Sequence, residues 1–156
     1  MSVTELKNAP STDSSTRAVQ ALAFHWPVRV YYEDTDAGGV VYYANYLKFF
    51  ERARSEWLRA LGIDLDVVER EQRVLFVVRR VEANYLKPAR FNDALIVTVD
   101  QVDIQSARLC FQQSLLKTND EQPLSTATVD VVCVDSHSFK ATRVPASLTD
   151  LMQVKQ

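Results

Sequence analysis

The sequence YYEDTDAGGVVYYANY, residues 31–46, joins a β-type segment to a long amphipathic helix. It contains three carboxylates, Glu33, Asp34 and Asp36. It also contains two of the chain's 3 glycines, the adjacent pair Gly38 and Gly39. A helix start offers unpaired backbone N–H groups and the positive end of the helix dipole. Such groups beside a carboxylate suit a reaction in which negative charge develops on an oxygen atom. The stretch is therefore the predicted active site.

The spacing of the carboxylates leaves other interpretations open. In an extended stretch, Asp34 and Asp36 point to one side and Glu33 points to the other. Aspartate also favours turns, so the same spacing fits three solvated turn residues. A calcium-binding loop is a weaker match, because Asn45 stands where such a loop needs a glutamate.

A helix is predicted over residues 44–61, because apolar side chains recur there at helical spacing. The apolar stripe consists of Tyr46, Phe50, Ala53, Trp57 and Leu61, widened by Leu47 and Leu58. Gly62 follows directly, at a position where a left-handed helix cap is common. One long helix in an otherwise strand-like chain is the expected centre around which a sheet packs.

Strands are predicted on both sides of this helix. Residues 26–32 form the first strand, with Val28 and Val30 on one face. A short helix or turn at 64–72 precedes four strands and a last helical segment, at 74–87, 94–104, 109–117, 126–134 and 146–154. Short connections make consecutive strands antiparallel neighbours. The expected fold class is α+β, with a curved antiparallel sheet wrapped around one long central helix.

Length and composition indicate one globular domain. The chain has 156 residues, enough for a full hydrophobic core, and the predicted domain spans residues 24–156. Residues 1–23 are polar and without periodicity, so they are predicted to be a disordered extension, in which a short helix over 17–23 is possible. The formal net charge of −2 gives no general attraction to nucleic acid or anionic lipid.

The histidines and cysteines do not form a recognisable metal site. His25 and His137 lack further ligands at metal-binding spacing, and Cys110 and Cys133 lie far apart in predicted strands. Both cysteines are expected to be buried, reduced thiols. No apolar segment has transmembrane length, and the N-terminus lacks the apolar core of a signal peptide, so a cytoplasmic location is expected.

Three runs of residues resemble the 4-hydroxybenzoyl-CoA thioesterase family: Arg29-Val30, TDAGGVVYYANY at 35–46 and FFERAR at 49–54. Within it the chain is most similar to the Tol-Pal-associated acyl-CoA thioesterases of bacteria, over nearly all of residues 24–150. The resemblance implies a hot-dog fold and hydrolysis of acyl-CoA without a metal or bound cofactor. It also implies dimers joined at their sheet edges and commonly paired into tetramers. That agrees with the homo-oligomer expected from apolar residues on the outer sheet face.

The resemblance also implies roles for the residues of the loop. The catalytic aspartate of the family falls on Asp36, as nucleophile or general base. The oxyanion donor falls on the backbone N–H of Tyr43, where many members of the Tol-Pal branch have histidine. Gly38 and Gly39 would let the backbone approach the thioester. The implied function is the hydrolysis of short- to medium-chain or aromatic acyl-CoA to the free acid and CoA.

Alternatives remain for both the base and the function. Glu51 on the helix is a rival base, although an ion pair with Arg54 or Lys48 is its favoured role. A protein that keeps the fold but hydrolyses little would instead bind acyl-CoA or acyl carrier protein as a scaffold. The phosphates of CoA call for basic residues. The candidates are Arg79, Arg80, Lys87, Arg90 and Arg108.

Overall fold

The computed structural model describes residues 24–154. Their elements are β1 (Phe24–Arg29), a 3₁₀ turn (Tyr32–Asp34), α1 (Asn45–Ala60), α2 (Leu65–Gln72), β2 (Val74–Tyr85), β3 (Ala94–Val99), β4 (Gln101–Gln105), β5 (Arg108–Lys117), β6 (Pro123–Asp135) and α3 (Ala146–Val154). The extension predicted for residues 1–23 lies outside the described residues, as do the possible helix at 17–23 and the last two residues of the predicted domain.

The strands form one antiparallel sheet in the order β1-β3-β5-β6-β2, and β4 pairs with β5 beside β3. The longest pairing joins β2 to β6, with Val81 opposite Val129 and Tyr85 opposite Ser125. Because β1 and β2 each pair with a single strand of the described chain, they are the edges of the sheet. The predicted fold class, α+β with an antiparallel sheet, is confirmed.

Helix α1 packs on β1, β3 and β5 and supplies the centre of the core. The predicted stripe from Tyr46 to Leu61 is buried, and Trp57 meets Phe111 of β5 edge-on, with ring centroids 5.6 Å apart. One flank of the stripe differs from the prediction. Leu47, which was predicted to widen the buried stripe, is 37% exposed. Phe49, which the prediction left out, is 1% exposed, because the buried face of α1 is turned toward Phe49.

The strand predicted over residues 94–104 is two strands. Where β3 pairs with β5, Val97 lies opposite Leu115. Where β4 pairs with β5, Gln101 lies opposite Gln112. The register on β5 therefore shifts by one residue between β3 and β4. Asp100 sits at this break, where its backbone N–H donates to Gln112 O at 2.8 Å. One extra residue of this kind bends a strand locally. The period of two along the sequence continues through the bend and does not reveal it.

The outer face of the sheet mixes polar residues with half-buried apolar ones such as Val132 and Leu116. The half-buried residues Thr126, Thr128 and Asp130 alternate along β6 with the buried residues that face the core. Exposed apolar side chains of the sheet lie instead on edge strand β2, where Val78 is 51% and Val81 39% exposed. The homo-oligomer therefore stays a prediction.

Candidate active site

The carboxylate loop begins with a tight turn instead of an extended stretch. Residues Tyr32–Asp34 form the 3₁₀ turn, and Asp34 Oδ2 accepts a hydrogen bond from the backbone N–H of Tyr31 at 2.8 Å. The expectation that Asp34 and Asp36 extend side by side is therefore wrong, because Asp34 is bound to the backbone of the turn. This leaves Asp36 as the carboxylate that extends into the glycine loop.

Asp36 stands at the base of a narrow loop that the two glycines make possible. Its N–H donates to Val40 O at 2.9 Å, and Gly39 N–H donates back to Asp36 O at 3.0 Å. Gly39 has φ +75°, a conformation that glycine adopts without strain. A Cβ on Gly38 would lie 3.1 Å from Asp36 Oδ1, which accepts the Gly38 N–H at 2.8 Å. Both predicted glycine positions thus shape the surroundings of the carboxylate.

The loop is tied to the start of α1 and to the segment after β2. Asp34 O accepts two hydrogen bonds, from Tyr42 N–H and from the Asn45 side-chain amide, both at 2.9 Å. Val41 N–H donates to Ala89 O at 2.8 Å. Asp36 and Tyr43 therefore belong to one hydrogen-bonded unit, although the carboxylate of Asp36 is exposed to solvent.

The start of α1 carries free backbone donors. Ala44 is the N-cap residue, and no side chain caps the helix there. Asn45 N–H donates to Tyr42 O at 2.8 Å, which closes a turn. Within residues 24–154, neither Tyr43 N–H nor Ala44 N–H donates a hydrogen bond. The N–H predicted as oxyanion donor is thus unpaired, as that role demands.

Beside these donors lies an open pocket of about 220 Å³, called here the aromatic pocket after the three tyrosines in its lining. It is lined by Val41, Tyr43, Tyr46, Tyr85, Leu86, Lys87 and Pro88. Tyr46 is anchored at its base, since its hydroxyl accepts the Ala89 N–H at 3.0 Å, and burial raises the pKa of that hydroxyl. Sequence reasoning missed Tyr85, because only the β2–β6 pairing brings the end of β2 to the start of α1.

Glu51 does not make the ion pair expected of it. Ser55 Oγ donates to Glu51 Oε1 at 2.6 Å on the exposed side of α1. Arg54 turns inward and donates to Gln113 Oε1 at 3.0 Å, and no ion pair joins Glu51 to Arg54 or Lys48 among the described residues. Burial lowers the pKa of Arg54 more than the nearby charge of Glu51 raises it. The predicted pairing is therefore wrong, since Arg54 belongs to the core.

The basic residues considered for CoA phosphates are scattered. Arg80 pairs with Glu82 at 2.9 Å, and Arg108 bonds Gln105 Oε1 at 3.0 Å. Of the five candidates, Lys87 is the one that lines the aromatic pocket. The other four therefore lie outside the lining of this pocket.

The remaining nucleophiles and metal ligands lie elsewhere. Burial raises the pKa of the Cys110 thiol to about 11, aided by its hydrogen bond with Asp130, and burial alone does the same for Cys133. Both thiols are thus protonated near neutral pH and poorly suited to nucleophilic attack. Between residues 24 and 154, no three His, Cys, Asp or Glu side chains come together in a way that could hold a metal ion. In the same range, the helices are too short or too polar to span a membrane.

Comparison with known proteins places the chain in a family. The sequence profile of the Thioesterase-like superfamily matches residues 30–152. The chain belongs to the Thioesterase-like superfamily. Among its relatives is the acyl-CoA thioesterase YbgC of Haemophilus influenzae, which is 45% identical over 122 residues, covering 78% of this chain and 88% of that protein.

Two solved thioesterase structures have the same fold. A probable thioesterase from Bartonella henselae is 37% identical, with a TM-score of 0.66 over 78% of this chain and 96% of that one. A 1,4-dihydroxy-2-naphthoyl-CoA thioesterase from Synechocystis, 22% identical, aligns with a TM-score of 0.77 over 85% of this chain and 98% of that one. The predicted hot-dog fold is confirmed, and so is the predicted Tol-Pal-associated branch of the 4-hydroxybenzoyl-CoA thioesterases. The roles of Asp36 and Tyr43 stay predictions.

Proposed function

We propose that this protein is an acyl-CoA thioesterase that cleaves short- to medium-chain or aromatic acyl-CoA to the free acid and CoA. The observation that carries the proposal is the unpaired Tyr43 N–H at the start of α1, in the same hydrogen-bonded loop as the exposed carboxylate of Asp36. An anionic group and an oxyanion donor held by one rigid loop are what acyl transfer to water needs.

Asp36 acts on the thioester carbonyl by one of two routes. As a nucleophile, a carboxylate oxygen attacks the carbonyl carbon, the C–S bond breaks, CoA leaves as thiolate, and water hydrolyses the resulting anhydride. As a general base, Asp36 takes a proton from water while the water oxygen attacks the carbon. Its Oδ1 accepts the Gly38 N–H, whereas Oδ2 accepts no hydrogen bond within residues 24–154 and is available for either task.

Tyr43 N–H binds the carbonyl oxygen as it gains negative charge. The positive end of the α1 dipole adds to this stabilisation. The aromatic pocket formed by Tyr43, Tyr46 and Tyr85 receives the acyl group, because its apolar walls favour an apolar or flat substituent. Its size, about 220 Å³, suits a short or aromatic acyl group better than a long chain.

The protein acts as a homo-oligomer in the cytoplasm. The free edge of β2, with exposed Val78 and Val81, is where a second copy pairs, because an unpaired strand edge is a template for another strand. Acyl carrier protein is a further partner, since its acylated form carries the same thioester group as acyl-CoA. A cytoplasmic location suits Cys110 and Cys133, which are free thiols and persist in a reducing compartment.

The test is thiol release from a panel of acyl-CoAs with short, medium and long linear chains and with aromatic acyl groups. We expect turnover of short, medium or aromatic substrates and slow turnover of long chains. The absence of thiol release from every substrate would contradict the proposal. Saturable binding of acyl-CoA or acyl carrier protein without release would replace hydrolysis by the scaffold function.

Removing the hydroxyl of Tyr43 is expected to leave catalysis nearly intact. The proposed donor is the backbone N–H, so Tyr43→Phe should keep kcat/KM within about threefold of the wild type. Steady-state kinetics on the best substrate of the panel measures this, with Tyr42→Phe as the neighbouring control. A loss of roughly 100-fold in Tyr43→Phe alone would move the catalytic role from the backbone to the side chain.

A further inference from the structure

Tyr85 reaches the start of α1 from the far end of β2. Its hydroxyl donates to the main-chain oxygen of Tyr43 at 3.0 Å. Its ring packs edge-on against Tyr43 and Tyr46, with centroids 6.1 and 5.2 Å apart. The strand end that carries it is fixed, because Tyr85 lies opposite Ser125 of β6, whose hydroxyl donates to Asn84 O at 2.8 Å. A rigid sheet thus holds the hydroxyl against the turn.

The carbonyl of Tyr43 depends on this hydrogen bond. In a regular helix it would accept from Leu47 N–H, but that group donates to Ala44 O at 3.2 Å. Within residues 24–154, no backbone N–H donates to Tyr43 O. The Tyr85 hydroxyl supplies the missing donor. Burial raises the pKa of this hydroxyl, with smaller contributions from Tyr43 and Tyr46, so it stays protonated near neutral pH.

Holding a carbonyl also sets the direction of the N–H in the same peptide. A trans peptide is planar, and its N–H points opposite to its C=O. Tyr42 O is held by Asn45 N–H at 2.8 Å, which fixes the N–H of Tyr43. Tyr43 O is held by Tyr85, which fixes the N–H of Ala44. A hydrogen bond to the carbonyl also polarises the peptide and strengthens its N–H as a donor.

We propose that Tyr85 is a positioning residue, whose hydroxyl holds the Tyr43–Ala44 peptide so that the free N–H of Ala44 faces the developing oxyanion beside the N–H of Tyr43. This inference rests on the proposed thioesterase function. Tyr85 itself touches the backbone of the turn and transfers no proton. Preorganised donors need no reorientation when charge develops, so their loss weakens transition-state binding more than substrate binding.

The test is Tyr85→Phe, which removes the hydroxyl and keeps the ring in the pocket. We expect kcat to fall about tenfold with KM changed less than about twofold, a smaller loss than the roughly 10²–10³-fold caused by removing an oxyanion donor itself. The control is Tyr32→Phe, since Tyr32 stacks on Phe91 at 3.9 Å and its hydroxyl makes no hydrogen bond within residues 24–154. Unchanged kcat in Tyr85→Phe, or equal losses in both variants, would overturn the inference.

A second readout is independent of turnover. In Tyr85→Phe, the amide resonances of Ala44 and Tyr43 in a ¹H–¹⁵N NMR spectrum should shift more than those at the Tyr32 turn, because the peptide loses its fixed partner. Unshifted resonances would overturn the inference even if activity fell. Failure of the proposed function is a different result, in which the wild type itself releases no thiol while the NMR comparison still reports on the peptide.

Discussion

Replacement of Asp36 by asparagine is expected to lower kcat by about 10³-fold or more. The amide is close in size to the carboxylate, but it carries no charge, attacks a carbonyl poorly and cannot take a proton from water at neutral pH. Its side-chain oxygen can still accept the Gly38 N–H, which is bound at 2.8 Å in the native loop. Asp36→Asn should therefore fold normally, and thiol release compared with the wild type at saturating acyl-CoA measures the loss.

Two other carboxylates serve as controls for Asp36. Glu33 is exposed in the same loop, and its side chain makes no hydrogen bond within residues 24–154, so Glu33→Gln should keep nearly full activity. Glu51, the rival base, is bound by Ser55 at 2.6 Å, and Glu51→Gln should also remain active. If Glu51→Gln lost as much activity as Asp36→Asn, the assignment of the base would pass to the helix. If Asp36→Asn stayed active, the proposed chemistry at Asp36 would be wrong.

Local patterns in the sequence were sufficient to predict the helix and to select the loop before it as the candidate site. The spacing of Phe50, Ala53 and Trp57 predicted α1, because a helix buries one face whatever packs against it. Asp36 and Tyr43 were predicted together because they lie in one short stretch, and residues so near in sequence stay near in space. Their chemical roles came from the family resemblance rather than from spacing.

Features that depend on distant pairing could not be predicted. The bend at Asp100 arises because β5 pairs with both β3 and β4 in registers that differ by one residue. Tyr85 reaches the start of α1 only through the β2–β6 pairing. Arg54 was predicted as a possible ion-pair partner of Glu51, which lies three positions before it on the same helix. Its burial depends on Gln113, an acceptor on another element that no local pattern indicates.

Replacement of Gln113 by leucine is expected to cost about 3–4 kcal/mol of folding free energy. Gln113 is 2% exposed and joins three elements. Its oxygen accepts from Arg54 at 3.0 Å, and its amide donates to Phe50 O at 3.0 Å and Thr98 O at 3.3 Å. Leucine fills a similar volume but leaves the buried cation and these carbonyls without their partner. For a chain of this size, Tm should fall by roughly 10 °C.

Two further variants test the role of Gln113, each measured by chemical denaturation at one fixed protein concentration. Gln112→Leu changes the adjacent, exposed glutamine of β5, which accepts from Thr128 at 2.9 Å, and should cost less than about 1 kcal/mol.

The double variant Arg54→Met with Gln113→Leu should be more stable than Gln113→Leu alone, because removing both polar partners removes the unpaired buried charge. The guanidinium carbon of Arg54 lies 5.9 Å from the centre of the Phe111 ring. If the double variant were less stable than Gln113→Leu alone, Arg54 would stabilise the fold through its contact with this ring rather than through Gln113. The sign of that difference distinguishes a buried cation that is held by its partner from one that is held by its contact with the ring.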